Sequence, residues 1–145
     1  MKLLASLLLA SLVSTSAAIA AVGVPTSETS NPATTTEIIV TDSLQTQRTQ
    51  YYYYNFGTVG LNWRESQDFV VRNRSSHSIY FNNITISGSA YSSYSGCPYR
   101  LYPGQSCATR VDFIPWFEGY HYGRLGFWLN SGSIIIDLQG YGRRW

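Results

Sequence analysis

An all-β sandwich of about seven antiparallel strands is the fold class this chain predicts, and three observations carry it. After residue 50, apolar side chains alternate with polar ones at a period of two in one run after another. Clusters of Gly, Pro, Asn and Ser separate those runs at the spacing of sandwich turns. No stretch after residue 20 keeps apolar residues at i, i+3, i+4 and i+7, which a helix needs to bury one face.

The strands follow in order. Tyr52, Tyr54 and Phe56 share a face of the first, which is expected to end at Gly57. Beyond a polar turn at 62–66, Phe69, Val71 and Asn73 alternate in the second. Ile79 and Phe81 share one face and Ile84 and Ile86 another, so the register break at Asn82-Asn83 predicts a β-bulge or a strand changing sheets. Tyr91 and the tyrosines near it predict a short edge strand. Thr109, Val111 and Phe113 point inward with Arg110 and Asp112 outward, and two more inward sets follow: Leu125, Phe127, Leu129, then Ile134, Ile136, Leu138. About seven strands in about 95 residues is the size of an immunoglobulin-like sandwich. An antibody-type domain is disfavoured, because its disulfide joins two sheets over a long separation around a Trp.

The expected domain organisation has three parts. Residues 1–20 read as a signal peptide: Lys2 supplies the positive start, 3–13 the apolar stretch, and Ala18-Ile19-Ala20 the small-x-small cleavage site. That apolar stretch is shorter than the about 20 residues of a membrane-spanning helix, and nothing later matches such a length, so no transmembrane segment is expected after cleavage. Residues 21–50 are rich in Thr, Ser, Pro, Asn and Gln and read as a flexible linker or tail. Within them Glu37-Ile38-Ile39-Val40-Thr41 is β-prone and could pair with an edge strand. The sandwich domain is expected over 51–145.

After residue 20 the chain holds nine Arg, eight acidic residues and no Lys, a net charge of +1 with His neutral. Nucleic acid is not an expected partner, because its footprint is a strong basic patch. Two cysteines, Cys97 and Cys107, face an oxidising compartment after export and are expected to form a disulfide. No metal site is expected, since neither His77 nor His121 stands at zinc-motif spacing from a Cys. No cofactor is expected.

Several motifs together carry a family resemblance. Phe56-Gly57-Thr58-Val59, the strand ending at Asn73 before Ser75-Ser76, and Ile84-Thr85-Ile86-Ser87-Gly88 open the pattern. Cys97-Pro98, Leu101-Tyr102-Pro103-Gly104-Gln105-Ser106-Cys107, Val111-Asp112-Phe113-Ile114-Pro115, Gly119 and Leu138-Gln139-Gly140-Tyr141-Gly142 complete it. This set resembles the ASH-type (ASPM, SPD-2, Hydin) immunoglobulin-like domains and the related choice-of-anchor D domains of bacterial secreted proteins, over about residues 53–142. The resemblance implies the sandwich fold and an exported interaction role, and it transfers no catalytic residue. The chain departs from the pattern where Tyr120, Tyr122 and Trp128 stand in place of small or polar residues.

His77 and His121 could each join a Ser-His-Asp arrangement in space, but ordinary surface histidines are the default and the chain is expected not to be an enzyme. Asp68, Asp112 and Asp137 are expected to face outward, with Arg110 as a cross-strand partner. Aromatic residues make up 15% of the chain, more than the core can absorb. Tyr94, Tyr99, Arg100, Tyr102, Trp116, Phe117, Tyr120 and Trp128 are therefore the candidate binding residues, placed near the bridged loop. The alternative use of such rings is to cover sheet edges. The expected function is an exported, periplasmic or cell-surface bacterial module that binds protein or cell-envelope glycan. Two further readings are a carbohydrate-binding module using exposed Tyr and Trp, and a small outer-membrane β-barrel.

Overall fold

The computed structural model describes residues 35–42 and 48–145. Nine strands form two sheets: β1 (Thr35–Val40), β2 (Arg48–Gly60), β3 (Glu65–Asn73), β4 (Ile79–Ser87), β5 (Tyr91–Ser95), β6 (Arg100–Leu101), β7 (Ser106–Phe113), β8 (Gly119–Leu129) and β9 (Gly132–Arg143). The four-stranded sheet has the order β1-β3-β7-β5 and the five-stranded sheet the order β2-β9-β8-β4-β6. Two open sheets stacked on a shared apolar layer make a sandwich and not the closed barrel weighed above. No described helix is long and apolar enough to cross a membrane.

Period-two alternation places the core. The four-stranded sheet contributes Ile38, Phe69, Val71, Val111 and Phe113, and the five-stranded sheet contributes Phe56, Leu125, Phe127, Ile136 and Leu138, all buried. Aromatic rings join the two layers: Phe56 of the five-stranded sheet lies 5.5 Å from Phe113 and 5.7 Å from Tyr91 between ring centroids, and those two stack on each other at 5.0 Å within the four-stranded sheet. Gly140 makes this packing possible, because a Cβ there would come within 2.4 Å of the Phe113 ring. Gln67, buried between the sheets, accepts a hydrogen bond from the Tyr54 hydroxyl at 2.8 Å and donates to Thr36 Oγ1 at 3.1 Å, tying β1, β2 and β3 together.

Three expectations need correction. The described residues form nine strands, not about seven, because β1 and the two-residue β6 also form. The sheets are mixed and not purely antiparallel: β1 runs parallel to β3, and β2 parallel to β9. The sandwich also reaches back into the segment expected as linker 21–50, since β1 starts at Thr35 and β2 at Arg48. Ile38 and Val40 drive this by burying against β3, so the β-prone run does form an edge strand. The expected signal peptide at 1–20 and the linker up to residue 34 lie outside the described residues.

The expected irregularities appear. The β4 to β8 register shifts between Phe81 and Asn83. Strand β2 continues past Gly57 by a second bulge, between Asn55 and Thr58, with Gly57 at a φ of 74°. A disulfide joins Cys97 to Cys107, with Cα atoms 4.9 Å apart. It fastens the crossover between β5 in one sheet and β6 in the other onto β7. Asn73 locks the same end: its side-chain amide donates to His77 O at 2.8 Å and Leu101 O at 3.0 Å, and its Oδ1 accepts from Ser75 N at 2.9 Å.

Candidate functional site

The eight candidate residues all reach solvent, but the fold does not gather them around the bridged loop. Tyr94 lies on the outer side of β5, in the four-stranded sheet. Tyr99, Arg100 and Tyr102 sit at the β6 edge, where the Arg100 guanidinium stands 4.3 Å from the Tyr102 ring centre and 5.5 Å from that of Tyr80. Trp116 and Phe117 contact each other edge to face in the β7 to β8 connection. Tyr120 and Trp128 point outward from β8 on the five-stranded sheet.

Tyr120 and Trp128 belong to a larger surface. In β8 the outward set is Tyr120, Tyr122, Arg124, Gly126 and Trp128, because Leu125, Phe127 and Leu129 take the opposite parity into the core. The ladder register brings neighbours of the same parity alongside: Tyr141 beside Tyr120, Gln139 beside Tyr122 and Asp137 beside Arg124 on β9. One strand further out, Tyr51 and Tyr53 of β2 stand beside Ile135 and Asp137. Six aromatic side chains, Tyr51, Tyr53, Tyr120, Tyr122, Trp128 and Tyr141, thus share one exposed sheet face.

Local contacts fix this face. Tyr120 meets Tyr141 edge to face at 5.0 Å and lies nearly parallel to Tyr122 at 6.2 Å. The Tyr53 hydroxyl donates to Gln139 Oε1 at 2.6 Å. Arg124 donates to Asp137 at 2.7 Å, and this carboxylate raises the guanidinium pKa. Trp128 Nε1 donates to Thr85 Oγ1 at 3.2 Å, which pins the indole across Gly126. A Cβ at Gly126 would approach Trp128 Nε1 to 3.2 Å and Thr85 Oγ1 to 2.8 Å, so glycine is what lets the indole lie against the sheet. Beside the β2 bulge, Asn55, Gly57, Thr58, Tyr120, Gln139 and Tyr141 line a shallow polar depression.

Sequence reasoning missed Tyr51, Tyr53, Tyr122, Tyr141, Asn55 and Gln139 as parts of one surface. Parity was the available signal: with Tyr52, Tyr54 and Phe56 inward, Tyr51 and Tyr53 must face out. The histidines resolve differently. His121 is only 4% exposed, and its Nε2 lies 2.9 Å from Phe117 O, so it braces the β7 to β8 connection. His77 is exposed and meets Ser76 and Asp42, but Ser76 Oγ at 3.0 Å and Asp42 Oδ1 at 3.6 Å both approach the same nitrogen, Nδ1. A nucleophilic relay needs hydroxyl and carboxylate on opposite ring nitrogens. This cluster instead clamps Asp42 to the turn, and the Ser76 backbone N–H, bonding to Asp42, holds that carboxyl below its usual pKa. Among the described residues no group of three or more His, Cys, Asp or Glu side chains could hold a metal ion.

No family model matches the chain, and no curated protein matches it. Solved structures do. The VesB protease of Vibrio cholerae is 21% identical over 62% of this chain and 30% of its own length, with a TM-score of 0.50. VesC, a secreted serine protease of the same organism, is 14% identical over 61% of this chain and 21% of its own, also at 0.50. The ASH/PapD-like domain 7 of human CEP192 is 10% identical over 66% of this chain and 84% of its own, at 0.51. These likenesses establish an immunoglobulin-like fold. The match spans less than a third of either protease. They also correct the expectation that the chain is not an enzyme: the same architecture occurs in proteases, so the lack of a legible catalytic motif was no ground for excluding enzymatic activity.

Proposed function

We propose that this chain is an exported recognition module of the ASH-like class, related to bacterial choice-of-anchor D domains, that engages a protein or a glycan of the cell envelope. The observation that carries the reading is the outer face of the five-stranded sheet, where six aromatic side chains stand exposed together. Rings of this kind anchor interfaces because they offer large contact area for few rotatable bonds. Export is supported by the Lys2, 3–13 and Ala18-Ile19-Ala20 pattern and by the disulfide, which persists in oxidising compartments.

The face, and not the bridged loop, is the recognition surface in this reading. Immobilised protein exposed to bacterial envelope extract tests it. Tyr122→Ala with Trp128→Ala is expected to abolish retention of bound material. Tyr99→Ala, Arg100→Ala and Tyr102→Ala together are expected to leave it intact. The opposite pattern would place recognition at the β6 edge.

A further inference from the structure

Resting on that reading of the aromatic face, we infer that its ligand is an uncharged polysaccharide lying along the five-stranded sheet. The rings are distributed over a surface and do not converge on a pocket. Tyr120 and Trp128 stand eight residues apart on β8, about 27 Å at about 3.4 Å per residue. Tyr51 and Tyr53 lie two strands away, about 10 Å to the side. A chain of several sugar rings fits these dimensions, whereas one small molecule would leave most of the rings in water.

The chemistry between the rings narrows the class further. A pyranose has an apolar C–H face that packs on an aromatic ring and a rim of hydroxyls that take hydrogen bonds. This face offers both in alternation. Asn55, Asn83 and Gln139 each engage their carbonyl oxygen within the protein, through Gly57 N at 2.9 Å, Ile84 N at 2.9 Å and the Tyr53 hydroxyl at 2.6 Å. All three carboxamides therefore keep their NH₂ groups, which have no partner among the described residues, as donors for ligand oxygens. Asn55 and Gln139 do so in the depression walled by Tyr120 and Tyr141.

Charge decides between neutral and ionic ligands. Arg124 and Asp137, in the middle of the face, neutralise each other at 2.7 Å, and the other outward arginines, Arg100 on β6 and Arg143 at the end of β9, lie over the Tyr102 and Trp145 rings at opposite ends of the sheet and form no cluster for an anionic chain. Trp128 is held flat by Gly126 and Thr85 before any ligand arrives, so little ordering cost remains for its stacking.

Affinity electrophoresis in gels containing soluble mixed-linkage β-glucan, arabinoxylan, galactomannan or, as the charged comparison, alginate tests this. Retardation by at least one neutral polysaccharide and none by alginate is expected. Tyr122→Ala, Trp128→Ala and the pair Asn55→Ala with Gln139→Ala should each weaken it at least about tenfold, while Tyr94→Ala on the other sheet leaves it unchanged. Thermal melts of every variant, and the well-exposed Tyr122 site in particular, separate lost binding from lost folding. Retardation by alginate alone, by none of the four, or equally for the face variants overturns the inference. If envelope material is still captured through the face while no neutral polysaccharide binds, the ligand class fails and the recognition surface stands. If sedimentation shows a dimer that Trp128→Ala dissolves and no polysaccharide competes, a second copy of this chain is the occupant instead.

Discussion

The two outer faces of this sandwich are built on the same alternation and dressed in opposite chemistry. On the four-stranded sheet the outward positions pair charges: Asp68 with Arg110, Asp112 with Arg64, and Glu37 with Arg72. On the five-stranded sheet they carry six exposed aromatic rings and three carboxamides around one ion pair, Arg124–Asp137, with Arg100 and Arg143 stacked on rings at its two ends. Both faces cover the same core, so burial does not explain the difference. A face of exposed rings has an energetic motive to be covered, whereas a face of mutually paired charges is already satisfied in water. In the proposed reading, recognition belongs to the ring-bearing side and solvent contact to the other.

Substitutions below, within and above the faces separate these roles. Phe113→Ala removes a fully buried ring that packs between the sheets, and a loss of about 3 to 5 kcal/mol is expected, read as a lowered urea midpoint. Stability and face integrity should fall together there. Replacing Cys97 and Cys107 by Ser opens a link spanning ten residues of sequence, with an expected cost of about 2 to 3 kcal/mol in the chain-entropy model. Equal midpoints for oxidised and reduced protein would contradict it.

The charged face should answer to pH instead. The Arg110 guanidinium, through its hydrogen bonds, holds the Asp68 carboxyl below its usual value. The unfolded chain therefore takes up this proton first as pH falls. The stabilisation is fully present above about pH 4 and is lost as pH drops through the lower folded-state pKa. Because the pair is partly exposed, the increment is at most about 1 kcal/mol, and Asp68→Asn should flatten the acid limb of the urea midpoint by that amount. A single ring of the other face should matter least to stability: Tyr122→Ala is expected to stay within about 0.5 kcal/mol of the parent by urea denaturation while losing ligand binding. A large destabilisation there would make the rings structural cover, and the contrast between faces would vanish.

Much of this was readable in the residues. The inward sets at Thr109, Val111, Phe113 and at Leu125, Phe127, Leu129 follow from period-two patterning, which is local and strong. The disulfide and the irregularity near Asn82-Asn83 were legible for similar reasons. Parallel pairing of β2 with β9 was not, since it joins segments more than 80 residues apart and leaves no local mark on either. That pairing is what sets Tyr51 and Tyr53 beside the β9 and β8 residues, so the site was visible as scattered rings and invisible as a surface. The burial of His121 escaped notice although its flanking tyrosines, both outward, already required it to point in.

The most direct test follows the four indole N–H resonances of Trp63, Trp116, Trp128 and Trp145 while β-glucan, arabinoxylan and galactomannan are added in turn. A bound polysaccharide is expected to move the Trp128 signal, whose N–H bonds to Thr85 on the face, and to leave Trp116 in place. Movement of Trp116 with Trp128 unchanged would contradict it.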